Sequence, residues 1–83
     1  MKYEIRDKIT LNNDIEYIVA SYAVLDDKVY YYLAAINGEE ELFLLEEEND
    51  LVEVTNPELI KVLLPIFTTN ASEVFKELLK KQQ

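Results

Sequence analysis

The sequence predicts an α+β domain: an antiparallel four- or five-stranded meander with two carboxy-terminal helices packed on one face. Three observations carry this. Apolar residues in the first two thirds alternate with polar ones or cluster in short runs rich in Tyr, Ile and Val, which suit a pleated surface. Brief polar breaks separate the runs, too short for a parallel crossover, so consecutive strands are antiparallel neighbours. After Asn56-Pro57 the apolar spacing becomes that of a helix face. The 83 residues read as a single domain, 1–83, with the strand meander over 3–55 and a helical tail over 56–81.

Taken in order, Tyr3, Ile5, Ile9 and Leu11 alternate with Glu4, Arg6 and Lys8 to give a first half-buried strand, which Asn12-Asn13-Asp14 ends. Ile15 to Leu25 forms the second, closed by a tight turn at Asp26-Asp27-Lys28. Val29 to Ile36 is the third. Asn37-Gly38 then predicts a type I′ hairpin turn, because both central positions of that turn need positive φ. The turn sets a register: Ile36 opposite Glu39, Leu33 opposite Leu42, Tyr32 opposite Phe43, Tyr31 opposite Leu44 and Tyr30 opposite Leu45. A polar break, Glu46-Glu47-Glu48-Asn49-Asp50, precedes a fifth strand over Leu51 to Thr55.

The tail opens with Asn56 as a cap, Pro57 at the first helical position and Glu58 at the positive end of the helix dipole. Leu59, Val62, Leu63 and Ile66 mark its apolar face, and Pro65 predicts a kink or an end near Leu64. Thr68-Thr69-Asn70 interrupts the pattern. Asn70 with Glu73 resembles a capping box for a second helix from Ala71 to about Lys81, with Val74, Phe75, Leu78 and Leu79 on one side.

The register leaves both faces of the central hairpin apolar. Val29, Tyr31, Leu33, Leu42 and Leu44 share one face; Tyr30, Tyr32, Ile36, Phe43 and Leu45 share the other. A lone sheet with two short helices covers one such face well. Either tyrosines lie half-exposed with their hydroxyls in water, or the second face meets another molecule, the expected one being a second copy in a homodimer. The contact residues expected are Tyr30, Tyr32, Phe43 and Leu45; if the helices take that side instead, Tyr31, Leu33, Leu42 and Leu44 replace them.

Charge is uneven. No basic residue occurs between Lys28 and Lys61, where nine of the 17 acids lie, and the eight acids elsewhere balance the eight bases. This stretch therefore carries the whole net charge of −9. It reads either as a solvated rim that keeps a greasy domain soluble, or as an acidic patch (Glu46, Glu47, Glu48, Asp50) for a basic protein that itself holds nucleic acid. Such charge opposes direct contact with nucleic acid or anionic lipid. The run also lacks the alternating ligands and the glycine of a calcium loop.

Catalysis lacks its usual parts. With no histidine and no cysteine there is no triad base, thiolate nucleophile or soft metal ligand, and the one glycine cannot build a phosphate loop. The acids flank turns where water holds carboxylates near ordinary pKa values. No enzyme activity, cofactor or metal is expected. Absence of cysteine fits a reducing compartment, and neither a signal-like apolar run near Met1 nor a membrane-spanning stretch occurs, so a cytoplasmic location is expected.

Four segments, Ile9-Thr10-Leu11-Asn12-Asn13, Lys28-Val29-Tyr30-Tyr31-Tyr32-Leu33, Glu40-Glu41-Leu42-Phe43-Leu44-Leu45-Glu46 and Val74-Phe75-Lys76-Glu77-Leu78, resemble the small acidic YrzB-like proteins of low-GC Gram-positive bacteria. The Pro57–Phe67 segment with its internal Pro65 departs from that pattern. The family has no established activity, so the resemblance implies a small bacterial cytoplasmic protein and assigns no residue a role.

Overall fold

The computed structural model describes residues 2–11, 14–38 and 40–71. Five strands, β1 (Lys8–Thr10), β2 (Glu16–Leu25), β3 (Lys28–Ala35), β4 (Glu41–Glu47) and β5 (Asp50–Glu53), precede one helix, α1 (Pro57–Asn70). They form one antiparallel sheet in the order β1-β2-β3-β4-β5. The expected meander is therefore present with five strands and one described helix; the second expected helix falls on residues 72–83, outside the described residues.

The β3–β4 register is the one the sequence implies, from Tyr30 opposite Leu45 to Leu33 opposite Leu42. Its turn differs. The strands stay bonded as far as Ala35, whose N–H donates to Glu40 O at 2.8 Å, the Gly38 N–H donates to the Ala35 carbonyl at 2.9 Å, and of Ile36, Asn37 and Gly38 only Gly38 has positive φ, at 81°. Glycine there avoids the clash a Cβ would meet in the left-handed region. The expected Ile36–Glu39 pair involves a residue outside the described set. Two-residue geometry with positive φ occurs instead at Asp26 (52°) and Asp27 (63°), joining β2 to β3. Aspartate tolerates that region because its short side chain bonds locally.

Several strand boundaries also move, the fifth strand ending at Glu53 and not at Thr55. The first strand shrinks to Lys8–Thr10 because Arg6 adopts φ 81° in a turn closed by Asp7 N–H to Glu4 O (3.0 Å) and Glu4 N–H to Asp7 Oδ2 (2.8 Å). Glu46 and Glu47, expected in a loop, complete β4, and Asp50 begins β5, so the break narrows to Glu48-Asn49.

Strand β2 explains how a nearly continuous apolar run serves two faces. The register slips between Val19 opposite Leu33 and Ser21 opposite Tyr32, leaving Ala20 as an extra residue. Ala20 and Ser21 both join the helix side, while Tyr17, Val19 and Tyr22 face the other. Such a bulge bends its strand and increases the local twist. The bend shows at the sheet edges: five flat strands would hold β1 and β5 about 19 Å apart, yet Leu11, beyond β1, and Leu51 of β5 line one groove. The sheet is curled.

Helix α1 lies on the convex side. Leu63, Leu64 and Phe67 are buried against Ala20, Ala23, Tyr30, Tyr32 and Ala34, whose small members let the helix approach closely. The Phe67 ring stacks on Phe43 (5.8 Å between centroids) and tilts against Tyr32 (6.1 Å). Two polar bonds pin the helix to β2: Ser21 Oγ donates to Phe67 O at 2.5 Å, and Asn70 Nδ2 to Tyr22 O at 2.9 Å. The start is as expected, with Asn56 Oδ1 accepting from the Glu58 N–H at 3.0 Å and Pro57 in the first turn.

Three helix expectations are corrected. The buried stripe runs through Leu63, Leu64 and Phe67, and Val62 is 51% exposed. Pro65 does not end the helix. It sits on the solvent side with Lys61, so the Lys61 carbonyl that loses its donor faces water. Thr68 and Thr69 continue the helix, their hydroxyls donating to the carbonyls of Leu64 (2.9 Å) and Pro65 (3.0 Å).

Pro65→Ala, measured by urea denaturation, should raise stability by about 1–2 kcal/mol, the restored helical donor outweighing the freer unfolded chain; unchanged or lower stability contradicts an uninterrupted, solvent-facing turn. Phe67→Ala should cost about 3–5 kcal/mol by emptying the ring cluster; a loss below about 1 kcal/mol contradicts its place there.

Candidate functional site

The four residues singled out for contact lie beneath α1. Tyr30 and Tyr32 are buried, Phe43 and Leu45 half-buried, and all four belong to the helix-side cluster. Their ring and methyl surfaces are taken up inside the protomer. The substitute set does not form an open face either: Tyr31, Leu33 and Leu44 are buried and only Leu42 is half-exposed. The curl folds this face onto itself, with Ile9, Tyr17 and Val19 from β1 and β2, and Tyr3 and Leu11 from the amino-terminal segment.

That segment is fastened by a hydrogen-bonded latch. The Tyr31 hydroxyl donates to Glu46 Oε2 while accepting the Lys2 N–H (3.1 Å) and the Tyr3 N–H (3.3 Å). Glu46 Oε2 also accepts the Lys2 N–H at 3.0 Å. Tyr3 packs edge-on against the Tyr31 ring, centroids 5.6 Å apart. Burial, then the neighbouring carboxylate, pushes the Tyr31 hydroxyl up to about 12, while the phenol's hydrogen bond holds Glu46 below the ordinary carboxylate value. Half of this pair follows from the register: Tyr31 opposite Leu44 makes Glu46 its same-face diagonal neighbour. Lys2 and Tyr3 gave no such signal, because their approach depends on the turn at Arg6.

The other acids of the 46–53 stretch lie along the β4–β5 hairpin. Glu47 and Glu48 are exposed, and their backbone carbonyls accept from the Lys2 ammonium at 3.1 and 2.7 Å. Asp50 turns its carboxylate onto the Leu51 N–H at 2.8 Å. Beside this hairpin, between β5 and the end of β1, runs an open groove of about 530 Å³. Leu11, Leu42, Leu44 and Leu51 supply apolar lining, and Asp50 and Glu53 supply charge. The arrangement offers an open groove of mixed character, leucine surface lying beside the polar groups of Thr10 and Asn49, the cation of Lys2 and the carboxylates of Asp50 and Glu53. Among the described residues no three carboxylates converge as a metal site, and no helix is long and apolar enough to cross a membrane. The chain matches no protein-family profile, no curated protein and no solved structure.

The latch predicts a two-sided pH dependence when Tyr31→Phe is compared with the parent. Glu46 titrates lower in the folded chain than in the unfolded one, so its contribution is present above the ordinary carboxylate pKa and fades as acid protonates the folded form. Tyr31 titrates higher when folded, so its contribution is complete below pH 10.0 and fades toward pH 12 as the unfolded chain ionises first. The parent's stability lead over Tyr31→Phe should be greatest at neutral pH and shrink by about 2 kcal/mol on the alkaline side. A lead that is flat from neutral pH to pH 12 contradicts the latch.

Proposed function

We propose that this chain is a non-catalytic protein-interaction module whose partner is a basic protein, held on the β4–β5 side. One observation carries the reading: Glu46, Glu47, Glu48, Asp50 and Glu53 occupy a single hairpin beside an open groove partly lined by leucines, and among the described residues the Lys2 ammonium meets that hairpin at the backbone carbonyls of Glu47 and Glu48. Coulombic attraction from such a surface steers a cationic partner and favours its register, while the groove supplies area that charge alone lacks. A protein with a cationic groove that otherwise takes nucleic acid fits this chemistry, because a run of carboxylates presents charge as phosphates do. A chain without histidine or cysteine, with its acids in water, gives little to a catalytic reading. Tyrosine-mediated self-association has less to recommend it than the sequence suggests, since Tyr30, Tyr31 and Tyr32 are spent within the protomer. We read the chain as cytoplasmic, in keeping with its lack of cysteine.

Binding of fluorescent deca-lysine to the whole chain tests this. Affinity should fall at least about tenfold between roughly 50 and 200 mM salt, and the double variant Glu47→Gln, Glu48→Gln should weaken it further at low salt. Salt-independent binding, or a double variant that binds as the parent does, overturns the proposal.

A further inference from the structure

Among the described residues strand β5 is a sheet edge, and half of its backbone is unused by the ladder. The Val54 N–H donates to Phe43 O at 2.7 Å, which sets the alternation: Val52 and Asp50 face β4, and Leu51 and Glu53 direct their N–H and C=O groups away from it. The outward Leu51 N–H is met by the Asp50 carboxylate of its own turn, a contact that an incoming carbonyl can replace. The groove of about 530 Å³ opens along this same edge.

Side chains along the edge read acid, apolar, apolar, acid: Asp50, Leu51, Val52, Glu53. Leu51 and Glu53 look into the groove with Leu44, while Val52, 42% exposed, lies on the opposite face with Leu45. Directly opposed strand residues of opposite charge attract, and like charges repel. A second copy of β5 would bring the same carboxylates to the seam, so like charges oppose pairing of this edge with its own kind. A strand reading cation, apolar, apolar, cation matches it in either direction. The Lys2 ammonium sits on this hairpin, on the Glu47 and Glu48 backbone carbonyls.

We propose that the β5 edge and its groove bind an extended segment of a partner protein, two lysines or arginines flanking two apolar residues, added as a sixth strand. This rests on the basic-partner reading above and deepens it by naming the segment. The ladder supplies backbone hydrogen bonds, Leu11, Leu42, Leu44 and Leu51 receive an apolar side chain, and Asp50 and Glu53 receive the cations.

The test is an amide NMR titration of the whole chain with the peptide Ser-Lys-Leu-Val-Lys-Ser, blocked at both ends, against the same composition ordered Ser-Leu-Lys-Lys-Val-Ser. The first should bind at least about fivefold more tightly, with the largest shifts at the Leu51, Val52 and Glu53 amides. Glu53→Gln should remove most of that preference. Glu53→Pro deletes an outward N–H without touching the ladder and should abolish it; if that variant fails to fold by circular dichroism, the Gln variant decides. Equal binding of the two peptides, or shifts away from β5, overturns strand addition and leaves the acidic-surface reading standing. Failure of both peptides and of deca-lysine overturns both readings.

Discussion

The β3–β4 hairpin carries apolar and aromatic side chains on both faces, and water tolerates neither. A flat sheet with α1 on one side would leave Tyr31, Leu33 and Leu44 bare. The chain meets this constraint by bending. An extra residue at Ala20 shifts the phase of β2, so a single apolar strand sends Tyr17, Val19 and Tyr22 to one side and Ala20, Ser21 and Ala23 to the other. The curled sheet encloses one cluster in its own concavity, and the helix closes the other. A small domain gains two thin cores in place of one thick core, which eases the shortage of buried surface that limits chains of this length.

Curling has consequences at the edges. Bringing β1 and β5 round toward each other leaves a seam between two short strands, with Asp50 and Glu53 beside it. Glu46 is drawn inward to Tyr31, where it anchors Lys2 and Tyr3 over the concave core; Asp50 and Glu53 border the groove, and Glu47 and Glu48 are exposed to solvent. A single acidic run thus serves two physical tasks, one structural and one left to the solvent side. That division follows from strand alternation: Glu46 and Tyr31 share a face as diagonal neighbours, and Glu47 points the other way.

Much of this was legible in the residues. Polar breaks gave the strand order, and the position of Asn37-Gly38 gave the central register even though the turn is not of the expected type, because the two strands lock through their side chains and tolerate a longer connection. The cap at Asn56-Pro57 was equally plain. Less legible was anything set by long-range geometry. Pro65 breaks helices when its lost bond is buried, and only the rotation of α1 against the sheet places Lys61 and Pro65 in water. Which of the two sets, Tyr30, Tyr32, Phe43 and Leu45 or Tyr31, Leu33, Leu42 and Leu44, lies under the helix was not legible for the same reason: periodicity shows that two faces are apolar but cannot say which one α1 takes or that a bulge lets the sheet curl over the other. The groove was invisible because it exists between segments far apart in sequence.

The central claim is that one protomer buries both faces of its own hairpin. Light scattering on the purified chain across a wide concentration range, repeated at high salt, tests it most directly. The account predicts a monomer of 9.7 kDa throughout, since no tyrosine face is left to pair. A stable dimer at micromolar concentration that dissociates when Tyr31 or Leu33 is made polar without unfolding would contradict it.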